Sequence, residues 1–113
     1  MTSGELLAKR CVPLPKGTPA MERARAEGLL PLVPLWELSD DGKHVRTQRR
    51  FDNFTDAAAF VSKLAPIADV EDHHPDVRIF NYRHLELVFT TRSIGGLSEN
   101  DFVMASRVNE LLG

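Results

Sequence analysis

Alternating apolar and polar positions predict two hairpins of β-strands. In residues 84–91, Leu85, Leu87 and Phe89 fall on one side of an extended chain and more polar positions on the other. A turn at residues 40–42 ends in glycine, which favours a hairpin between the first two strands. The four predicted strands cover residues 35–38, 44–51, 77–82 and 84–91.

Apolar residues at helical spacing, together with capping residues, predict three helices. The first covers residues 20–30 and ends before Pro31. The second begins at Asn53, whose side chain can cap it, and the third begins with a capping box formed by Ser98 and Asp101. The element order is therefore α-β-β-α-β-β-α. This order predicts an α+β fold, with a four-stranded antiparallel sheet and three helices packed on one face.

The length of the chain favours one domain. It has 113 residues, which suffice for one compact core but not for two. We expect residues 1–19 to form a flexible, proline-rich N-terminal tail and residues 20–113 to form the domain. The N-terminus lacks the features of a secretory signal, and no apolar run approaches the ~20 residues of a membrane span. A cytoplasmic location is therefore predicted, without a membrane partner.

The charge of the chain argues against direct binding to nucleic acid. Its formal net charge is -2, whereas dedicated nucleic-acid-binding domains are usually basic. Three arginines in the second strand, Arg46, Arg49 and Arg50, are most simply interpreted as a solvated strand face. Cys11 is the only cysteine, so an intrachain disulfide is impossible.

The densest group of chemically versatile side chains lies between the second helix and the third strand. His73 and His74 are adjacent there, before Pro75, and four carboxylates flank them: Asp69, Glu71, Asp72 and Asp76. Because histidine titrates near neutral pH, this loop is a candidate for proton transfer. Two other interpretations stay open, namely an exposed polar loop without a role and a zinc site. No cysteine or suitably spaced histidine lies nearby, so we predict no metal.

A longer pattern around this loop resembles the signature of the pterin-4a-carbinolamine dehydratases. The residues that carry the resemblance form the run Asp69-x3-His73-His74-Pro75-x6-Tyr82-x9-Arg92-x8-Asp101. Supporting matches are Phe51-x-Asn53-Phe54 before the second helix, Gly95-Gly96-Leu97-Ser98 before the third, and Trp36 near the first strand. The similarity extends over about residues 20 to 112.

The resemblance implies a fold, an activity and a set of site residues. The family fold has four antiparallel strands with three helices on one side, and its members form homodimers or homotetramers. They remove water from a 4a-hydroxytetrahydropterin to give a quinonoid dihydropterin, without a metal or other cofactor. By resemblance, His73 and His74 occupy two of three catalytic histidine positions. Five further residues are predicted to bind the pterin: Asp69, Pro75, Asp76, Tyr82 and Asp101. The local sequence also explains Asp101 as a cap of the third helix.

The third catalytic position departs from the family pattern, because Arg92 stands where the family usually has histidine. A guanidinium stays charged in proteins, so it cannot exchange a proton at neutral pH. We therefore favour a degenerate, non-catalytic site. Related proteins that lack the activity assist assembly or accumulation of RuBisCO in bacteria with alpha-type carboxysomes. The resemblance thus implies RuBisCO subunits as partners and an association with carboxysomes. The alternative is an active dehydratase, in which Arg92 orients the pterin while His73 and His74 carry the protons.

Overall fold

The computed structural model describes residues 1–113 and contains one four-stranded sheet with helices around it. The predicted α+β class and antiparallel sheet are confirmed. The first strand pairs with the second, the second with the fourth, and the fourth with the third. There are four α-helices rather than three. The elements are α1 Ser3–Ala8, α2 Arg23–Leu29, β1 Glu37–Leu38, β2 Val45–Arg50, α3 Phe54–Glu71, β3 Asp76–Phe80, β4 His84–Phe89 and α4 Glu99–Leu112.

One face of the sheet forms one side of the hydrophobic core. The alternating residues Leu85, Leu87 and Phe89 of β4 are fully buried, as the period of two predicts. In the adjacent strand, Val45 lies opposite Phe89 and is buried with it. Helix α4 packs over this face, and its residues 100–106 are all buried. The core is therefore built mainly between β4 and α4, and the loop that precedes α4 lies at its edge.

The prediction of a tail over residues 1–19 is wrong for residues 3–8, which form α1. Thr2 and Glu5 make a reciprocal capping box at the start of this helix. Leu6 is fully buried among the core residues, and α1 packs against α4. The proline-rich stretch after α1 contains no helix or strand, as its composition predicts. None of the helices combines the length and apolar character required to cross a lipid bilayer.

The interpretation of three arginines on one solvated strand face is wrong for Arg49. Its register partner is the buried Leu85, so Arg49 points toward the helices. There its guanidinium donates hydrogen bonds to the Thr47 hydroxyl at 2.7 Å and the Asn109 side-chain oxygen at 2.6 Å. Partial burial lowers the pKa of Arg49. Arg46 and Arg50 lie on the opposite, exposed face.

Candidate functional site

The end of α3 turns the chain sharply toward the two histidines. Asp72 follows the helix in the left-handed conformation, with φ 52° and ψ 43°, a common way to end a helix. The next main-chain N–H, that of His73, still donates to the Ala68 carbonyl at 3.1 Å. Pro75 then leads directly into β3 at Asp76. This local geometry holds His73 and His74 at the junction of α3 and β3.

His73 is held by a buried carboxylate from α4. Its Nε2 lies 2.6 Å from Asp101 Oδ1, and Asp101 is fully buried. The other oxygen, Oδ2, accepts hydrogen bonds from the Thr91 hydroxyl at 2.8 Å and the Ser98 main-chain N–H at 2.9 Å. The imidazole stacks on Phe89, with ring centroids 5.9 Å apart and planes 10° apart. Both the carboxylate and the ring are therefore fixed in orientation.

His74 has its own carboxylate partner, but at the surface. Its Nε2 lies 2.8 Å from Asp69 Oδ1 on the last turns of α3. The side chains of His74 and Asp69 are 54% and 75% exposed. Asp69 thus contacts a histidine of the loop, and its role in binding the pterin stays a prediction. Solvent can reach this pair directly.

Arg92 lies beside the histidines, in a single 3₁₀ turn, Arg92–Ile94, rather than on the last strand. The Thr91 main-chain N–H donates to the Gly96 carbonyl at 2.9 Å and closes this turn. A side chain at position 96 would clash, because a Cβ there would lie 2.8 Å from Ala20 Cβ. Arg92 Nη2 donates to Asp76 Oδ1 at 2.6 Å, and both side chains are largely exposed.

These residues surround two adjoining depressions that share His74. The first has a volume of about 220 Å³ and only polar lining residues: Asp72, His73, His74, Thr90, Thr91, Arg92 and Ser93. The second has a volume of about 180 Å³ between α3 and β3 and is mostly apolar, lined by Val61, Leu64, Ala65, Ala68, Asp69, His74, Pro75 and Val77. A small ligand with an apolar ring and polar edges matches this combination.

Three residues of the predicted pterin-binding set do not line the two depressions. Asp76 contacts Arg92 beside the polar depression. Tyr82 lies at the β3–β4 turn with φ 51°, at the opposite end of β3 from Asp76. The extended residues of β3 place Phe80 roughly 13 Å from Asp76, and Tyr82 lies in the turn beyond Phe80. Asp101 is fully buried, so it contacts His73 rather than a ligand. Signature spacing alone does not distinguish a residue that touches a ligand from one that positions its neighbours.

Two residues of the site were missed in the sequence. Thr91 is buried and donates to Asp101, whereas Phe89 forms the surface under His73. The alternating pattern of β4 signals that Phe89 is buried, but not what lies above it. The residues of the whole chain form no group of three or more His, Cys, Asp or Glu side chains arranged to hold a metal ion. Each histidine of the loop instead has one carboxylate partner.

Comparison with known proteins links this region to one family. The family model described as pterin 4 alpha carbinolamine dehydratase matches residues 18–111. A protein of Halorhodospira halophila named "Putative pterin-4-alpha-carbinolamine dehydratase" is 41% identical over 106 residues, which cover 94% of this chain and 96% of that protein. A protein of the same name from Xylella fastidiosa is 43% identical over 106 residues, covering 94% and 90% of the two chains.

Two solved structures share the fold. The transcriptional coactivator/pterin dehydratase from Brucella melitensis has a TM-score of 0.77 and 24% identity, over 83% of this chain and 99% of that one. A pterin dehydratase-like protein described as a RuBisCO assembly factor in the alpha-carboxysome has a TM-score of 0.58 and 19% identity, over 69% and 89%. At these identities the two likenesses establish the fold alone.

Proposed function

We propose that this chain, which belongs to the pterin-4a-carbinolamine dehydratase family, catalyses the family's reaction, the removal of water from 4a-hydroxytetrahydropterins. One observation carries the proposal. His73 and His74, each hydrogen-bonded to a carboxylate, line the same polar depression. Relatives at about two-fifths identity over nearly the whole chain bear the name of this enzyme, which supports the same conclusion.

The reaction needs one acid and one base, and the two histidines supply them. An acid protonates the 4a-hydroxyl group, which leaves as water when the C4a–O bond breaks. A base takes the proton from N5, and the N5–H electron pair forms the double bond between N5 and C4a. The net products are water and the quinonoid dihydropterin. Positioned groups of this kind accelerate proton transfer by about 10²–10⁴-fold each.

In this proposal, the surroundings of the two histidines determine which of them is the base and which is the acid. When the His73 Nε2–H donates to Asp101, Nδ1 carries the lone pair and is ready to accept a proton. We therefore assign His73 as the base. His74 is more than half exposed and exchanges protons readily with water, so we assign it as the acid. The apolar depression beside His74 and Pro75 provides a surface for the pterin ring.

Arg92 acts in this proposal as a fixed hydrogen-bond donor. A permanently charged guanidinium cannot carry a proton, but it can bind an oxygen of the ring. Its ion pair with Asp76 holds it beside the polar depression. Arg92 thus replaces the third histidine as a hydrogen-bond donor to the pterin, while His73 and His74 still provide the base and the acid.

A second function, assembly of RuBisCO without catalysis, rests on Arg92 itself. The sequence favoured it because the third histidine is replaced, and a structural neighbour described as a RuBisCO assembly factor has the same fold. In this case the partners are RuBisCO subunits and the location is cytoplasmic or carboxysomal. We place it second because the His73 and His74 contacts are both intact. A homodimer or homotetramer is compatible with either function.

A stopped-flow dehydration assay with a synthetic 4a-hydroxytetrahydropterin tests the proposal. We expect turnover by the wild type and a loss of about 10²–10⁴-fold in His73→Ala. His84→Ala is the control, because His84 lies at the opposite end of β4 from Phe89 and the polar depression. Activity of the wild type no higher than that of His73→Ala contradicts the enzyme proposal.

The Arg92→His variant separates the two functions further. If Arg92 replaces a proton carrier in a working site, the histidine variant should be several-fold faster than the wild type. If both forms are inactive, the assembly function is the better account. Co-expression with RuBisCO then provides its test, with the yield of assembled enzyme as the readout. An unchanged yield contradicts assembly.

A further inference from the structure

The residues that follow α1 cross the ends of the two helices that hold His73 and Asp101. We call Arg10, Cys11 and Val12 the N-terminal strap. On its N-terminal side, Leu6 is fully buried and Arg107 of α4 donates hydrogen bonds to the carbonyls of Leu7 and Lys9. The strap therefore starts from a segment that is already attached to α4.

The first anchor of the strap is Glu71, the last residue of α3. Its carboxylate accepts hydrogen bonds from the Cys11 main-chain N–H at 2.8 Å and from Arg10 Nε at 2.6 Å. The side chain of Glu71 is only 2% exposed. The hydrogen bond from Cys11, followed by that from Arg10, lowers the pKa of Glu71. A buried carboxylate is thus satisfied by the strap, and no function proposed above uses it.

The second anchor is Asn100, in the first turn of α4. Its Oδ1 accepts from the Val12 N–H at 3.0 Å, and its Nδ2 donates to the Val12 carbonyl at 2.8 Å. One amide side chain therefore pairs with both main-chain groups of one strap residue. Asn100 is 7% exposed, so these groups have little access to water.

Both anchors lie next to the members of the buried pair. Glu71 precedes His73 by two residues, and Asn100 immediately precedes Asp101. The strap thus links the C-terminus of α3 to the N-terminus of α4 where His73 meets Asp101. Helix ends are the parts of helices that fray. A link across both ends opposes a change in their separation.

We propose that Glu71 and Asn100 are positioning residues, through which the strap fixes His73 against Asp101. This inference deepens the proposed function and rests on it, since the pair is the proposed base and its orienting carboxylate. A misplacement of about 1 Å in such a site can lower the rate by ~10²-fold. The strap reaches no ligand in this arrangement. It acts only through the two residues of the pair.

The test compares Asn100→Ser with Asn109→Ser. Asn109 is a second amide on α4 and is half-buried. It accepts hydrogen bonds from Trp36 Nε1 and Arg49 and donates to the Pro34 carbonyl. One of these partners, Trp36, packs against Phe89 with ring centroids 5.7 Å apart. Asn109→Ser therefore controls both for general loosening of α4 and for a disturbance that reaches His73 through Phe89. Thermal unfolding of both variants shows whether each is folded at the assay temperature.

The first readout is the imidazole signal of His73 in ¹H–¹⁵N NMR spectra, assigned with His73→Gln. We expect the hydrogen-bonded Nε2 proton to broaden or shift in Asn100→Ser and to stay unchanged in Asn109→Ser. The second readout is kinetic, with kcat lowered by about 10-fold or more and KM little changed in Asn100→Ser only. Glu71→Gln provides a second variant if Asn100→Ser does not fold.

The two readouts keep this inference separate from the proposed function. An unchanged His73 signal in both Asn100→Ser and Glu71→Gln overturns the positioning role, and so does an equal change in Asn109→Ser. If the wild type has no dehydratase activity but the His73 signal responds as expected, the proposed function fails and the positioning role stands.

Discussion

The loop contains two histidine–carboxylate pairs with nearly the same contact and opposite surroundings. His73 lies 2.6 Å from Asp101, and His74 lies 2.8 Å from Asp69. The side chains of the first pair are 11% and 0% exposed, and those of the second 54% and 75%. The difference arises from the carboxylates, because Asp101 starts a buried helix and Asp69 lies on an exposed helix face.

Because of this difference, the buried pair is held rigidly and the exposed pair can rearrange, although both belong to one site. Two additional donors, from Thr91 and Ser98, hold Asp101 in place, and Asp69 is outside any such network. A buried carboxylate needs those donors, because an unsatisfied charge in the interior is costly. An exposed pair contributes little net free energy and is free to rearrange. One histidine is thus preorganised, while the other can follow a substrate and exchange protons with solvent.

The largest expected effect is that of Asp101→Asn, compared with the matching variant Asp69→Asn. In Asp101→Asn, the amide oxygen can still accept from Ser98, but its NH₂ group then faces His73 Nε2. This contact favours the tautomer with the proton on Nδ1, where the proposed base needs its lone pair. We expect kcat to fall by about 10²-fold or more, as for loss of a positioned acid–base group, and Asp69→Asn to lose clearly less.

Stopped-flow kinetics on both variants measures this difference, with thermal unfolding to verify that each is folded. Equal losses would mean that burial does not distinguish the two pairs. A larger loss in Asp69→Asn would reverse the assignment of the preorganised histidine.

In the sequence, Asp101 of the buried pair was recognisable through its local role at the start of a helix. Asp101 was predicted to complete a capping box with Ser98, and this box is present. Its contact with His73 joins residues 28 positions apart, which no local pattern reveals. The resemblance to the family brought both residues into one signature, but it assigned Asp101 to the ligand. Only the fold places that carboxylate beneath the histidine.

The errors elsewhere have the same origin in long-range contacts. Helix α1 has six residues, too few to show a helical repeat, and it packs through Leu6 against residues far along the chain. Arg49 was assigned to a solvated face because arginine is usually exposed, whereas an acceptor on α4 draws it inward. The last strand was predicted to reach Thr91, whereas it ends earlier, at Phe89. Alternation and capping predicted the framework, and packing between distant segments determined the rest.

The next prediction concerns the pH dependence of the stability that Glu71 contributes. The pKa of Glu71 is lowered from its ordinary value of 4.5 by the Cys11 and Arg10 hydrogen bonds. Its ionised form therefore stabilises the fold above the unfolded-state pKa, and this contribution is lost as pH falls through the folded-state pKa. We expect Glu71→Gln to lower the free energy of unfolding by about 1–2 kcal/mol at pH 7, since a charge-assisted hydrogen bond becomes a neutral one.

Urea unfolding of wild type and Glu71→Gln across a pH series measures this contribution. The difference between the two proteins should be constant from pH 7 to about pH 5 and should shrink below the ordinary pKa of 4.5. Glu27→Gln is a suitable control, because the Glu27 side chain is exposed in its ion pair with Arg23. A difference between wild type and Glu71→Gln that grows on acidification would contradict the assigned direction of the pKa shift.

The smallest expected effect concerns the exposed pair. Asp69→Asn should change the free energy of unfolding at pH 7 by less than about 1 kcal/mol, because water screens a contact between two exposed side chains. Any difference should shrink further between 0.01 M and 1 M salt, as the screening length falls from about 30 Å to about 3 Å. Urea unfolding at the two salt concentrations provides the measurement. A loss above about 2 kcal/mol that is independent of salt would show that His74 and Asp69 stabilise the fold as a buried pair does, and the two pairs would then differ in exposure but not in rigidity.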